Sequence, residues 1–504
     1  MINLTPLARL ILARRVKESL RWVDNCEQLQ RDLLAWLLKS ARGTQWGERY
    51  QYGAISSYEE FAQRVPVNTY EDLSLWIMRQ LEGERDVLWR GQVNRFAQSS
   101  GTSNGKSKYI PITQEGLSGC HYKGASHAVA QYLAQYPESR MFSGKAFVLG
   151  GSFANEIPNL RSDARVGDLS AHLISLIPSA ANFFRVPSKP IALMEDWEKK
   201  LPALVEASID ENITNLSGVP SWFLAVIKAV IEKAGATTIH DVWPNLEVFF
   251  HGGIAFAPYR EQYKAITDCS KMHYIETYNA SEGFFAVQNA IDDPTMLLLL
   301  DVGVFYEFMP LDQLDNPHPQ LLPIWKVEPG KIYGLVISSC NGLWRYVIGD
   351  TVKIESVNPV KISIAGRTKH FINAFGEELM VHNAEAAMAK VCTEMGCAIR
   401  NYTAAPVYVA DNSKGRHEWL IEFSTPPADV DSFATRLDEL LQQENSDYQA
   451  KRYKSIFLEK LTVVVARERL FEDWLASTGK LGGQRKVPRL ANDRQFIDPM
   501  LKMN

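Results

Sequence analysis

Apolar residues recur at helical spacing through residues 5–40, at Leu7, Leu10 and Ile11 and again at Leu29, Leu33, Leu34, Leu37 and Leu38, with charges between them. That pattern predicts two amphipathic helices. A further helix is expected over 58–65, because Ser56 and Ser57 precede it and Glu59 and Glu60 fill its first turn. Two short runs, 93–97 and 109–112, read as strands on either side of a serine- and glycine-rich stretch, and 115–136 reads as a helix stopped by Pro137. Strand, small-residue loop, strand and helix in succession is an α/β pattern.

The alternation continues downstream. A strand at 146–149 runs into Gly150-Gly151, helices are expected over 197–209 and 221–234, and Pro220 suits the start of the second. Strands at 246–250 and 273–278 each end in small residues, His251-Gly252-Gly253 and Asn279-Ala280-Ser281-Glu282-Gly283. Such endings suggest that their C-terminal ends share one ligand crevice. From 296 to 355 the pattern is β, with a hairpin-like Cys340-Asn341-Gly342. Near Asn358-Pro359 the pattern changes to a compact α+β module: a strand at 361–365, the turn Gly366-Arg367, a helix at 383–394, a hairpin over 405–422 and a helix at 429–444. The expected fold class is therefore mixed α/β and α+β, with a large N-terminal domain over 1–358 and a smaller C-terminal domain over 359–504.

Composition narrows the class. Nearly half of the 504 residues are apolar and under a quarter are charged, as in ordinary globular proteins. A net charge of −4 without a basic block argues against a nucleic-acid partner. The six cysteines form no Cys-x-x-Cys pair, and Arg9, Arg14 and Arg15 interrupt the apolar N-terminus, so a reduced, cytoplasmic setting without a secretory leader is expected. The most hydrophobic run, 296–300, meets Asp301 and Glu307 too soon for a membrane span.

Three stretches carry candidate chemistry. AQSSGTSNGKSKYIP at 97–111 has the small residues, hydroxyls and lysines of a loop that wraps phosphate, or of a linker. It is not the nucleotide-binding P-loop, because three residues rather than four separate Gly101 from Gly105 ahead of Lys106-Ser107. Tyr278-Asn279-Ala280-Ser281-Glu282 offers a ring to stack on a base and a carboxylate for Mg2+; the plainer reading is a strand-end turn with an exposed Glu. Asp350, after Gly349 at the end of an apolar strand, could accept hydrogen bonds from both ribose hydroxyls, or simply serve the turn.

In this order the three stretches resemble the nucleotide motifs of the auxin-responsive promoter (GH-three) family of acyl-acid amido synthetases, within the adenylate-forming superfamily. The likeness spans nearly the whole chain, through Trp46-Gly47, Pro66-Val67, Ser217-Gly218-Val219-Pro220-Ser221-Trp222 and His251-Gly252-Gly253. It implies a large adenylate-forming domain with β-sheets flanked by helices, plus a mobile C-terminal domain. It implies that Ser99, Ser100, Thr102, Ser103 and Lys108 form the phosphate loop, that Tyr278 and Ser281 contact adenosine, that Glu282 helps hold Mg2+ and that Asp350 binds the ribose. Arg367 is implied at the ribose or phosphate. Gly482-Gly483-Gln484-Arg485-Lys486-Val487-Pro488-Arg489 resembles the family's C-terminal motif, making Lys486 the implied lysine for the α-phosphate, with Lys480 the runner-up. Asn279-Ala280, Trp344 and Val347 depart from the pattern. The implied activity is ATP-dependent ligation of a small apolar or aromatic carboxylic acid to an amino acid by a monomer. Alternatives are an adenylate-forming acyl-CoA synthetase and a nucleotide-binding module without turnover. No motif encodes the acid, the amine or the acyl pocket.

Overall fold

The computed structural model describes residues 2–99, 108–153, 161–253, 256, 259–314, 316–367, 371–372, 374, 377, 379–409, 414–452, 458–478, 487–491 and 493–504. The chain forms two compact units, residues 1–348 with 353–363 and residues 349–352 with 364–504.

A long mixed sheet runs in the order Leu322–Pro323, Val304–Pro310, Ile332–Ser339, Tyr346–Val357, Val360–Arg367, Asp293–Leu298, Gly283–Ala290, His273–Ala280, Val248–Gly252, Ile213–Gly218, Lys145–Val148, Arg185–Val186. The last five strands are parallel to one another. Parallel neighbours need crossovers, which the helices Trp197–Ser208, Pro220–Ala234 and Arg260–Ile266 supply. Phe147, Leu216, Phe223, Trp243, Phe249 and Tyr263 form the core beneath them. Two of these rings also carry polar tips, and both are satisfied: Trp243 donates to the Ser208 carbonyl at 2.9 Å and Tyr263 to the Pro220 carbonyl at 2.7 Å. A small separate sheet pairs Arg95–Ser99 with Lys108–Pro111 on one side and Arg165–Gly167 on the other.

Local sequence explains the helix starts. Ser57 accepts the Glu60 amide at 3.1 Å while the Glu60 carboxylate accepts the Ser56 amide at 2.7 Å, and the helix Tyr58–Arg64 follows. Pro220 opens its helix and Gly235, at φ +63°, closes it. Strand ends differ from expectation. The strand expected at 246–250 is Val248–Gly252, so His251 lies within it, because pairing of Gly218 with His251 and of Gly252 with Thr277 carries the ladder past the glycine. The helix expected at 115–136 opens as a π-type segment, Gly116–His121, and continues as an α-helix over Tyr122–Gln135.

The second unit centres on the antiparallel strands Ala398–Val409 and Lys414–Thr425, with Thr462–Val465 parallel to the latter. Helices Val381–Met395 and Val430–Glu444 pack with them around Tyr402, Trp419, Phe433 and Leu437. Asn358-Pro359 forms the turn between Tyr346–Val357 and Val360–Arg367. Among the described residues no helix is long and apolar enough to cross a membrane.

Candidate active site

The parallel register sets strand ends side by side: Val148 faces Ser217, Gly218 faces His251 and Gly252 faces Thr277. Thr277 donates its hydroxyl to the His251 carbonyl at 3.0 Å. A Cβ on Gly252 would collide with the Thr277 carbonyl, so glycine is what keeps these ends in contact. An edge of this kind is where α/β sheets bind ligands. His251 is buried there, stacked on Phe256 with centroids 4.3 Å apart, and burial pushes its pKa down to about 3, which keeps the ring neutral.

The proposed phosphate loop springs from paired strands. Ser99 stands opposite Lys108, so Lys108 is at the foot of the loop rather than within it. Its ammonium lies 5.5 Å from the Tyr70 ring centroid, and the Tyr70 hydroxyl accepts the Tyr109 amide at 2.8 Å. Ser100, Thr102, Ser103, Lys480 and Lys486 lie outside the described residues.

Ser281 and Glu282 form the tip of the hairpin that joins His273–Ala280 to Gly283–Ala290, with Ala280 facing Gly283. Tyr278 is buried and meets Phe285 edge-on at 5.0 Å. Glu282 is only 6% exposed, which removes the reading of an exposed turn carboxylate. Three contacts join this tip to the segment after the phosphate hairpin. Thr113 donates its amide to the Asn341 side-chain carbonyl at 3.1 Å, Asn341 donates to the Glu282 carbonyl at 3.4 Å, and the Phe284 amide donates to Cys120 Sγ at 3.2 Å. Gly116 completes the fit, since a Cβ there would meet the Asn341 amide. Thr113, Cys120 and Asn341 have no motif of their own; Asn341 was visible only as part of a turn signal. Among the described residues no group of three or more His, Cys, Asp or Glu side chains could hold a metal ion. One buried carboxylate nevertheless suits Mg2+, which is held by one or two carboxylates together with substrate phosphates.

Arg345, at the head of the third stretch, is an anchor within the fold. Its guanidinium pairs with Glu307 at 2.9 Å, the two side chains being 5% and 0% exposed, and donates to the carbonyls of Ala62 and Val65 at 2.8 and 2.7 Å. Tyr58 donates to the same carboxylate at 3.0 Å. Arg345 holds φ at +42°, unusual for a residue with a side chain, and its amide donates to Ser338 Oγ at 2.9 Å. Asp350 is buried within the strand Tyr346–Val357, and Arg367 ends the strand Val360–Arg367. The structure thus links the strand pair Arg95–Ser99 and Lys108–Pro111 to the Tyr278–Glu282 turn inside the first unit, while Asp350 and Arg367 belong to the second.

Family models cover most of the chain: the GH3 family N-terminal domain matches residues 15–176 and 138–272, the central domain 297–367 and the C-terminal domain 382–495. The chain belongs to the GH3 family. One relative is the indole-3-acetic acid-amido synthetase GH3.8 of Oryza sativa subsp. indica, 22% identical across 94% of this chain and 90% of its own. The solved structure of the acyl acid amido synthetase AtGH3.15 with 2,4-DB matches at a TM-score of 0.78 with 17% identity, over 97% of this chain and 95% of that one. A 2-hydroxyisobutyryl-CoA ligase in its postadenylation state matches at 0.53 with 13% identity, over 97% and 91%. The expected mixed α/β and α+β fold, a large N-terminal part with a smaller α+β part appended, is the observed one and is shared with both structures.

Proposed function

We propose that this GH3 chain is an ATP-dependent ligase that activates a small apolar or aromatic carboxylic acid as an acyl adenylate and transfers the acyl group to an amino acid. The observation that carries this reading is the linkage, through Thr113, Asn341 and Cys120, of the strand pair bearing Ser99 and Lys108 to the buried Glu282 turn. It is supported by family membership and by the amido synthetase names of the relatives.

A carboxylate is a poor electrophile, so one of its oxygens attacks the α-phosphorus of ATP while the bond to the bridging oxygen breaks and pyrophosphate leaves. The amine nitrogen of the amino acid then attacks the acyl carbon, the bond to AMP breaks and the surplus proton passes to solvent. Two anions meet in the first step, and fixed positive charge is what lowers that barrier. Lys108 with Ser99, Ser100, Thr102 and Ser103 would hold the phosphates, and Lys486, or Lys480 in its place, would serve the α-phosphate. Tyr278 and Ser281 would contact adenosine, Asp350 the ribose, and Arg367 the ribose or a phosphate. Glu282 would hold Mg2+, whose chemistry is to neutralise charge on the departing phosphates. The division at 358/359, a hinge within 355–365, and action as a cytoplasmic monomer are parts of the same proposal.

Acid-dependent exchange of labelled pyrophosphate into ATP, followed by a cross of active acids with amino acids, tests it. Exchange with amide product is expected, and no exchange across a broad acid panel would overturn it. A thiol acceptor such as coenzyme A is the second reading, favoured by the fold shared with a CoA ligase; a thioester forming faster than any amide would install it. Amide product that is lost in Lys108→Ala would exclude a binding module without turnover.

A further inference from the structure

Three irregularities of the fold meet beside the Tyr278–Glu282 turn. The helix that follows the phosphate hairpin opens with a π-type segment ending at His121. The strand His273–Ala280 shifts register between Tyr278 and Asn279, the mark of a bulge. Buried polar atoms also lack hydrogen bonds here: both ring nitrogens of His121, which is 1% exposed, and Oδ1 of Asn279. Burial pushes the His121 pKa down to about 4 and keeps the ring neutral, although Asn279 lies close enough to favour its charged form. Neither ring nitrogen of His121 nor Oδ1 of Asn279, however, meets hydrogen-bond geometry with any described residue. π-type segments and bulges each cost regular hydrogen bonds and gather at functional sites, where a bulge re-aims a side chain. Buried polar atoms left unpaired call for a reason of their own.

We propose that His121 is a positioning residue for the reaction: its ring N–H donates to Asn279 Oδ1 when nucleotide is bound, and so fixes the Tyr278–Glu282 turn against the segment that follows the phosphate hairpin. This rests on the ligase reading above. The neighbouring contacts define the lever. Cys120, one residue before His121, already holds the Phe284 amide, and Asn341 holds the Glu282 carbonyl, so the far side of the turn is fixed to the same segment. The near side, at Asn279, is held by none of these contacts. A hydrogen bond from His121 would complete the clamp there and set the direction in which Ser281 and Glu282 face the nucleotide.

The test is a double-mutant cycle of His121→Phe and Asn279→Ala, with His121→Gln as the variant that keeps a side-chain N–H. Thermal unfolding by circular dichroism selects folded variants, and two readouts follow: MgATP affinity by titration calorimetry, and KM for ATP against kcat in pyrophosphate exchange. Each single variant is expected to weaken ATP binding and raise its KM about tenfold with a smaller change in kcat. The double variant should lose no more than either single, and His121→Gln should recover most of the loss. Additive losses, or unchanged affinity in folded single variants, would overturn the positioning role. Should His121→Phe fail to fold, Asn279→Ala and His121→Gln decide by the same affinity readout. A wild-type chain that binds ATP without exchange would sink the ligase reading while leaving the affinity pattern to judge His121; no ATP binding at all would sink both.

Discussion

The pair Arg345–Glu307 shows what one residue does for the site. A guanidinium buried with a single carboxylate and two backbone carbonyls cannot be left half paired, because the surviving charge would face an apolar interior. Glu307→Ala is therefore expected to destabilise the protein by about 3–5 kcal/mol in denaturant unfolding, whereas Tyr58→Phe, which removes one donor to the same carboxylate, should cost about 1–2 kcal/mol. His251 supplies a pH signature. Its folded pKa, near 3, lies below its ordinary value of 6.5, so the unfolded chain binds the extra proton and stability falls as pH drops through that interval. His251→Phe should flatten the fall in thermal stability between about pH 6.5 and 3, and an unchanged slope would speak against the buried neutral ring. Arg345 could be read from the sequence as part of a motif, but its partner could not. Glu307 lies 38 residues upstream and has no local pattern, since the contact exists only once Val304–Pro310 and the residue before Tyr346–Val357 are brought together across the intervening strand Ile332–Ser339.

At the scale of elements, features written in consecutive residues were legible. The helix Tyr58–Arg64 was visible because its cap and its first-turn acids are adjacent in the chain. Ser57→Ala should accordingly cost about 1 kcal/mol in unfolding free energy. Strand ends were misplaced by a residue or two because the neighbouring strand decides where pairing stops, as at His251. One tie between strands titrates: Asp293, paired with Lys361 at 2.6 Å, is held down to about 2 chiefly by that lysine's hydrogen bond. A depressed carboxylate stabilises above its unfolded pKa of 3.8 and loses that contribution as pH falls toward 2. The stability gap between wild type and Asp293→Asn should hold above pH 4 and close by about pH 2 in acid titrations followed by circular dichroism.

For the molecule as a whole, three ordered motifs were enough to reach the family, since each alone has an ordinary alternative and their succession does not. What stayed illegible is the set of side chains that join the motifs, Thr113, Cys120 and Asn341, because their roles come from proximity after folding. The strand order has a consequence for how the protein is made. Tyr346–Val357 and Val360–Arg367 stand in the middle of the long sheet, between Ile332–Ser339 and Asp293–Leu298, although they are the last of its strands to leave the ribosome. Until then the nascent chain carries two open sheet edges, each a template for pairing with another molecule. A chain ending at residue 348 should aggregate on expression and one ending at 367 should stay dispersed, a difference that light scattering would register. The centre of the sheet is the last part to be sealed, so synthesis, more than the finished state, is the stage at which its inner edges lie open to other chains.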